Sequence, residues 1–246
     1  MSHNRRVLIT GGTRGIGRGL VIEFARQGYQ VAFTYQHQAR LAAELESELG
    51  TCVKGFALDQ SDSAAIAPSV QAMAEATGGG FDILINNAAI AQEKPFMSIT
   101  ARDWSAMLNC NLQGPFLLAQ ACLPHMINQG WGRIINVSSI GGQWGGFNQV
   151  HYAASKAGLI SLTHSIAKIY SGQGITSNAI SIGLVATDMT AQELSTPQGQ
   201  EKLAGIPVGR AGTPEDIAQI AIFLASEKSG YLTGQTFNAN GGMLFS

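Results

Sequence analysis

Charge is what this chain of 246 residues has least of. Asp, Glu, Lys and Arg make up 13% of it, against the share of about 25% usual in globular domains. A chain so short of solvating residues must have an unusual share of its surface covered. The 15 Lys and Arg nearly balance the 16 Asp and Glu, leaving a net charge of −1. No global field therefore draws the chain onto nucleic acid or an acidic membrane. Cysteine is scarce as well. Cys52, Cys110 and Cys122 form no CxxC pair and have no histidine at zinc-site spacing, which argues against a structural metal and a disulfide framework. No apolar run reaches the roughly 18 residues that would span a bilayer. The stretch Val7-Leu-Ile behind Arg5-Arg6 is too short for a secretory leader. The expected setting is cytoplasmic, with no metal, membrane or nucleic-acid partner.

Linkers, repeats and low-complexity segments are missing too, so the whole of 1–246 is expected to fold as one domain. What fills it is alternation. Short β-branched runs, expected as strands at 6–10, 30–35, 52–57, 81–86, 132–137, 175–181 and 234–238, alternate with segments of helical period. The helices are expected at 16–28, 38–49, 62–77, 100–128, 150–172 and 214–226. Ser61-Asp62, Thr100 and Thr213-Pro214 supply helix-start signals. Near-continuous apolar strands fit a parallel sheet buried on both faces. The fold class is thus α/β, a Rossmann-type doubly wound parallel sheet of about seven strands flanked by helices on both faces. Its ligands belong at the carboxyl ends of the strands.

The first such end carries Thr10-Gly-Gly-Thr-Arg-Gly-Ile-Gly17, between a strand and a helix. Gly11, Gly15 and Gly17 permit a sharp turn and close approach of backbone to a pyrophosphate, and the helix N-terminus offers free N–H groups. With Thr13, Arg14 and Ile16 they are the expected dinucleotide cradle. The GK[ST] ending of a phosphate-binding P-loop is absent. Absent also is the acidic residue that would accept from ribose hydroxyls at the end of the second strand, where Thr34, Tyr35, Gln36 and His37 stand. Arg14 and Arg40 could instead attract a 2′-phosphate, so NADP(H) is the expected cofactor. Asp59 is either an acceptor for the adenine amino group or a helix-entry aspartate.

Tyr152-Ala-Ala-Ser-Lys156 opens a helix, and its i, i+4 spacing puts phenol and ammonium on one face. A phenol titrates near 10, so it serves as an acid–base group at neutral pH only beside a positive charge, which Lys156 supplies. Ser139, at the end of the fifth strand, could hold a carbonyl oxygen next to that phenol. His151 points about 100° away from Tyr152 and cannot share its target. Val137-Ser-Ser-Ile-Gly141 lacks the first glycine of a GxSxG hydrolase elbow, and no HExxH occurs. Trp131, Trp144 and Phe147 are either a substrate wall or packing. Trp144, His151 and Met189 are the candidate substrate-pocket residues, under a lid at about 189–205.

Taken together, these stretches resemble the short-chain dehydrogenase/reductase family over essentially the whole chain. The matching elements are TGGTRGIG at 10–17, NNAA at 86–89, Asn111, Ser139, YAASK at 152–156 and NAISIGLVATDM at 178–189. The 13-residue interval from Ser139 to Tyr152 is the family's spacing and selects Ser139 over Ser138. Within the family, 206–226 and 231–243 are similar to the members that reduce 3-oxoacyl chains on acyl carrier protein in fatty acid synthesis.

The resemblance implies hydride transfer from NADPH to a 3-oxoacyl thioester, with Tyr152 as general acid, Ser139 holding the oxygen, and Lys156 on the nicotinamide ribose and lowering the phenol's pKa. Asn111 would anchor a proton-relay water, or else distort its helix by bonding backbone. Asn87 and Ala88 would line the adenosine side, and Gly183 and Thr187 the nicotinamide side. It also implies a homotetramer, here through Pro115–Ala119, Leu159–Leu162 and the Met243–Phe245 tail. The alternatives are reduction of another ketone (polyketide, sugar or steroid) and a non-catalytic cofactor sensor, which retention of all four catalytic positions disfavours. Three departures stand out: Ala89 for the usual glycine, Ile182 for the usual proline before Gly183, and Gln129-Gly-Trp131 and Gln173 where carrier-docking cations are usual. Arg133 is the nearest cation left.

Overall fold

Seven β-branched runs become the seven strands of one parallel sheet in the computed structural model, which describes residues 5–187, 190–191 and 194–245. The strands are β1 (Arg6–Ile9), β2 (Gln30–Tyr35), β3 (Val53–Ala57), β4 (Ile83–Asn86), β5 (Gly132–Ser139), β6 (Ile175–Ile182) and β7 (Thr236–Ala239). They lie in the order 3-2-1-4-5-6-7. Val7 pairs with Val31 on one side and with Ile83 on the other. The order reverses between β1 and β4, where an open sheet leaves a crevice at its carboxyl edge.

Alternation along each strand feeds two cores, because successive side chains point to opposite faces. Val7, Ile9, Val31, Phe33, Ile83, Ile85, Ile135 and Val137 join one cluster, while Leu8, Ala32, Leu84 and Ile134 join the other. The first is closed by α1 (Gly15–Arg26), α2 (Ala39–Leu49) and α9 (Pro214–Ala225). The second is closed by α3 (Ser63–Ala76), α5 (Gly114–Gln129) and α7 (Val150–Tyr170). Helix starts are set where the sequence signals them. Asp62 accepts from Ala64 N, and Thr100 and Thr213 form capping boxes with Asp103 and Asp216.

The structure corrects the expected helix at 100–128, which breaks into α4 (Ala101–Leu108), a π-helical turn (Asn109–Gln113) and α5. Pro115 has no N–H to give the carbonyl of Asn111, four residues back, so one α bond is missing at this junction, as it is at Pro68 and Pro124 inside helices that continue. Two short helices were not expected: α6 (Gly141–Trp144) and α8 (Pro197–Ala204). The second uses the same device as α9, a threonine cap followed by proline, with Thr196 accepting from Gly199 N. The last strand starts at Thr236 rather than 234, since Gly234 has φ +66°. Among the described residues no helix is long and apolar enough to cross a membrane.

Candidate active site

The glycine turn leaves β1 and enters α1 beneath the crevice. Gly11 and Gly15 have φ of +70° and +53°, and a Cβ on Gly17 would lie 1.9 Å from the Gly11 carbonyl oxygen. Only glycine lets the turn close this tightly. Neighbouring strands brace it. Thr10 Oγ1 accepts from Asn87 N and Ala88 N, Asn87 Nδ2 donates to the Thr10 carbonyl at 2.8 Å, and Gly12 N donates to the Thr34 carbonyl at 2.9 Å. Arg14 at the N-cap of α1 makes no side-chain cap bond, and no acidic residue sits in the first turn. Its N–H groups and dipole are therefore left for an anion from outside the helix.

The cleft above has a cavity volume of about 340 Å³. Gly11, Thr13, Arg14, Gly15, Ile16, Gly17, Asp59, Asn87, Ala88, Lys156 and Thr187, eleven of the twelve expected cofactor residues, line it. Gly183 does not; it packs under Asn240 and Met243. At the β2 end the walls are Tyr35, Gln36, His37 and Gln38, with Arg14 opposite. Arg14 has no side-chain partner among the described residues, whereas Arg40 is paired with Glu44 on the surface, 84% exposed, and does not reach the cleft. Helix α3 is capped by Asp62, not Asp59. Asp59 accepts from Ser61 and Gln36, and the Ser61 hydroxyl bond leads in holding its carboxyl below the ordinary range.

Tyr152 and Lys156 line the other end of the same cleft. Burial pushes the Tyr152 phenol up, and a hydrogen bond with the Ser139 hydroxyl pulls it back. The expected lowering by Lys156 is not among the causes acting on the phenol. Lys156 Nζ sits 5.7 Å from the Tyr152 ring centre and donates to the Val137 carbonyl at 2.8 Å. Its own burial brings it down to about 8. Ser138 and Ser139 divide as strand alternation requires: Ser138 Oγ donates to the Lys156 carbonyl, while Ser139 Oγ turns to Gly141 N and the phenol. Asn111 is committed to backbone. Its amide bonds both the N–H and the carbonyl of Ile90 at 2.9 Å, and also Ser155 Oγ. The side chain is thus occupied, and any relay water would have to use the main chain of the π turn.

Several candidates lie elsewhere. Trp144 is 55% exposed and outside the cleft lining. His151 is fully buried and bonded to Gln92, behind the cleft and not in it. Met189 lies outside the described residues, as do 192 and 193 of the lid region. Trp131 is no substrate wall. It stands at the amino end of β5 between the Arg5 and Arg133 guanidiniums, and donates to Glu227. Arg133, the remaining cation where a carrier might dock, is 3% exposed. Gln60 was missed. Its Nε2 ties the Ala88 carbonyl to the Cys110 carbonyl, joining the β4 loop to the π turn. A polar residue right after Asp59, in a chain this apolar, was the available signal.

Strand order, glycine turn and tyrosine–lysine helix define an oxidoreductase of the short-chain type. A family model described as Enoyl-(Acyl carrier protein) reductase matches residues 11–244, and the chain belongs to this short-chain dehydrogenase/reductase family. It is 39% identical over 239 residues to a 3-oxoacyl-(acyl-carrier-protein) reductase FabG of Aquifex aeolicus, covering 96% of both chains. It is 38% identical over 242 residues to an acetoacetyl-CoA reductase of Shinella zoogloeoides, covering 98% of this chain and 99% of that one. A crystal structure from Beutenbergia cavernae, provisionally described as an NAD(P)-dependent gluconate 5-dehydrogenase with NADP bound at low occupancy, superposes with a TM-score of 0.91. That pair is 32% identical, with 98% of this chain and 97% of the other covered.

Proposed function

We propose that this protein is an NADPH-dependent reductase of 3-oxoacyl thioesters, giving the 3-hydroxyacyl product. The observation that carries this reading is one cleft with a glycine cradle at one end and, at the other, a phenol and a buried ammonium one helical turn apart, next to the strand end that carries Ser139. The residues present fit a dinucleotide: a Cβ at Gly17 would fill the cradle, and the start of α1 is uncapped. The Gly11–Gly17 turn would hold the pyrophosphate, Asp59, Asn87 and Ala88 the adenosine, Thr187 the carboxamide and Lys156 the ribose. Arg14 is the cation available for a 2′-phosphate. When bound, the reduced nicotinamide supplies a hydride to the carbonyl carbon.

The protein's own part is with the oxygen. Ser139 and Tyr152 donate hydrogen bonds to it, and Tyr152 gives up its proton as negative charge develops there. Hydride and proton together make the alcohol. Lys156 then stands within charge range of the phenolate left behind until it is reprotonated. FabG-type and acetoacetyl-CoA-type relatives share the 3-oxoacyl thioester and differ in what carries it, so the thioester is the common chemistry. The burial of Arg133 supports a carrier-independent use of that thioester, and also leaves room for a second reading, another small ketone such as a sugar acid. NADPH oxidation with acetoacetyl-CoA, carrier-linked acetoacetate and free ketones separates these. Thioesters are expected to exceed free ketones by about tenfold or more in kcat/KM. A free ketone outrunning both thioesters overturns the proposal.

The surface groove of Leu108, Leu112, Phe116 and Leu162, with Asn109 and Gln113 at its rim, is proposed to meet the same groove of a second copy in a homotetramer. Leu118 and Leu159 belong to the core, so the interface uses less of the expected stretches than their letters suggest. One domain, a lid over 189–205 and a cytoplasmic setting complete the reading.

A further inference from the structure

Tyr152 sits in the first turn of α7, and that turn starts badly. Gln149 at the N-cap makes no side-chain cap bond, and no acidic residue follows in the first turn. Asn148 just before it has φ +54°, the one non-glycine residue in the left-handed region among the described residues. A helix end with open N–H groups and a strained entry frays unless something outside it holds it.

What holds it is the segment after β4. Lys94 N donates to the Asn148 carbonyl at 2.7 Å, Gln149 Nε2 donates to Glu93 at 3.1 Å, and His151 Nε2 meets Gln92 Oε1 at 2.9 Å. Gln92, Glu93 and Lys94 thus each grip one residue of the entry to α7. The segment is itself anchored. Gln92 Nε2 reaches Asp103 at 3.5 Å, Lys94 Nζ reaches Asp103 at 2.6 Å, and Ile90 is clamped through both backbone groups by Asn111. Since Gln92 turns its NH₂ to Asp103, it offers its oxygen to the ring, and His151 Nε2 is the donor. The buried Nδ1 is left without a partner. Burying an unpaired nitrogen is unfavourable, and packing alone would be better served by an apolar ring. Ile90 and Ala91, at the head of this segment, line the cleft that Tyr152 faces.

We infer that residues 92–94 are a clasp on the start of α7, and that His151, through Gln92, is a positioning residue setting the gap between Tyr152 and the Ile90–Ala91 wall. This rests on the proposed reductase function only for its kinetic readout. Gln92→Leu changes an exposed residue, His151→Phe keeps the ring volume, and His151→Gln keeps a donor. With acetoacetyl-CoA, kcat is expected to fall about tenfold in Gln92→Leu and His151→Phe, with the KM for NADPH changed less than about threefold. The double variant should be no worse than either single one, and His151→Gln should recover at least half of kcat. In the same proteins, hydrogen exchange should quicken in peptides 88–95 and 148–153 together. An unchanged kcat in Gln92→Leu, or exchange that stays slow at 148–153 in both variants, overturns the clasp. A wild type inert toward thioesters overturns the proposed function instead, and the exchange experiment still decides the clasp.

Discussion

Tyr152 and Lys156 each hold their proton in the form the proposed reduction needs. Burial keeps the phenol protonated, ready to give, and Tyr152→Phe removes that proton. Turnover is expected to drop about 10²–10⁴-fold while NADPH binding, read by fluorescence titration, stays within a few-fold. Lys156 is the less comfortable partner. With its ammonium brought down to about 8, the folded chain binds that proton less tightly than the unfolded one does. Stability therefore rises as pH climbs from about 8 to the ordinary lysine range, and the cost of the buried cation is fully present below about 8. Lys156→Met is expected to melt at or above the wild-type temperature near pH 7, its stability raised by up to about 3 kcal/mol less the loss of the bond to the Val137 carbonyl, and to lose turnover. Thermal melts across pH without cofactor should show that gap closing above about pH 8. Wild-type reduction should slow over the same range as the charge beside the phenol disappears.

At the scale of elements, two tight places decide whether the cleft exists. Gly17→Ala would put a methyl 1.9 Å from the Gly11 oxygen, so the turn must open, and dinucleotide affinity is expected to fall beyond about 100-fold by titration. Asn111→Leu would strip both partners from Ile90, with a loss of about 1–3 kcal/mol in denaturant unfolding. The strands were readable because burial on both faces leaves continuous β-branched runs. Their helices were readable where Asp62, Thr100 and Thr213 cap them. The π turn was not, since helical period runs straight through 100–128 and its two prolines, Pro115 at the break and Pro124 inside the continuous α5, look alike in the sequence. Likewise Tyr152 and Lys156 declare themselves by spacing on one helix. By contrast, the partners of Asn111 and His151 come from a loop 21 and 59 residues away, and no local pattern encodes such a meeting. Trp144 shows the converse: an aromatic near a catalytic strand end that the chain turns outward.

For the whole molecule, scarce charge leaves apolar surface to be covered. Phe96, Met97, Phe116, Phe147, Tyr231 and Phe245 are all exposed, Tyr231 completely. Tetramer contacts of about 1,000 Å² or more each would cover part of this. Phe116→Asp is expected to shift light-scattering mass from tetramer toward smaller species at micromolar concentration; a wild type that is monomeric there contradicts the assembly. The stack of Arg5, Trp131 and Arg133, tied to Glu227, also divides the protein's three tryptophans. Trp131 stands before β5 and Trp144 beyond it, so the eight residues of that strand separate them by about 25 Å. Trp104 and Trp144, 40% and 55% exposed, are open to a cationic quencher such as caesium, which the two guanidiniums on Trp131 repel. The emission left under caesium should therefore come from the amino end of β5, and the emission lost from Trp104 and from Trp144 beyond its carboxyl end, giving the floor of the sheet its own optical channel without a label.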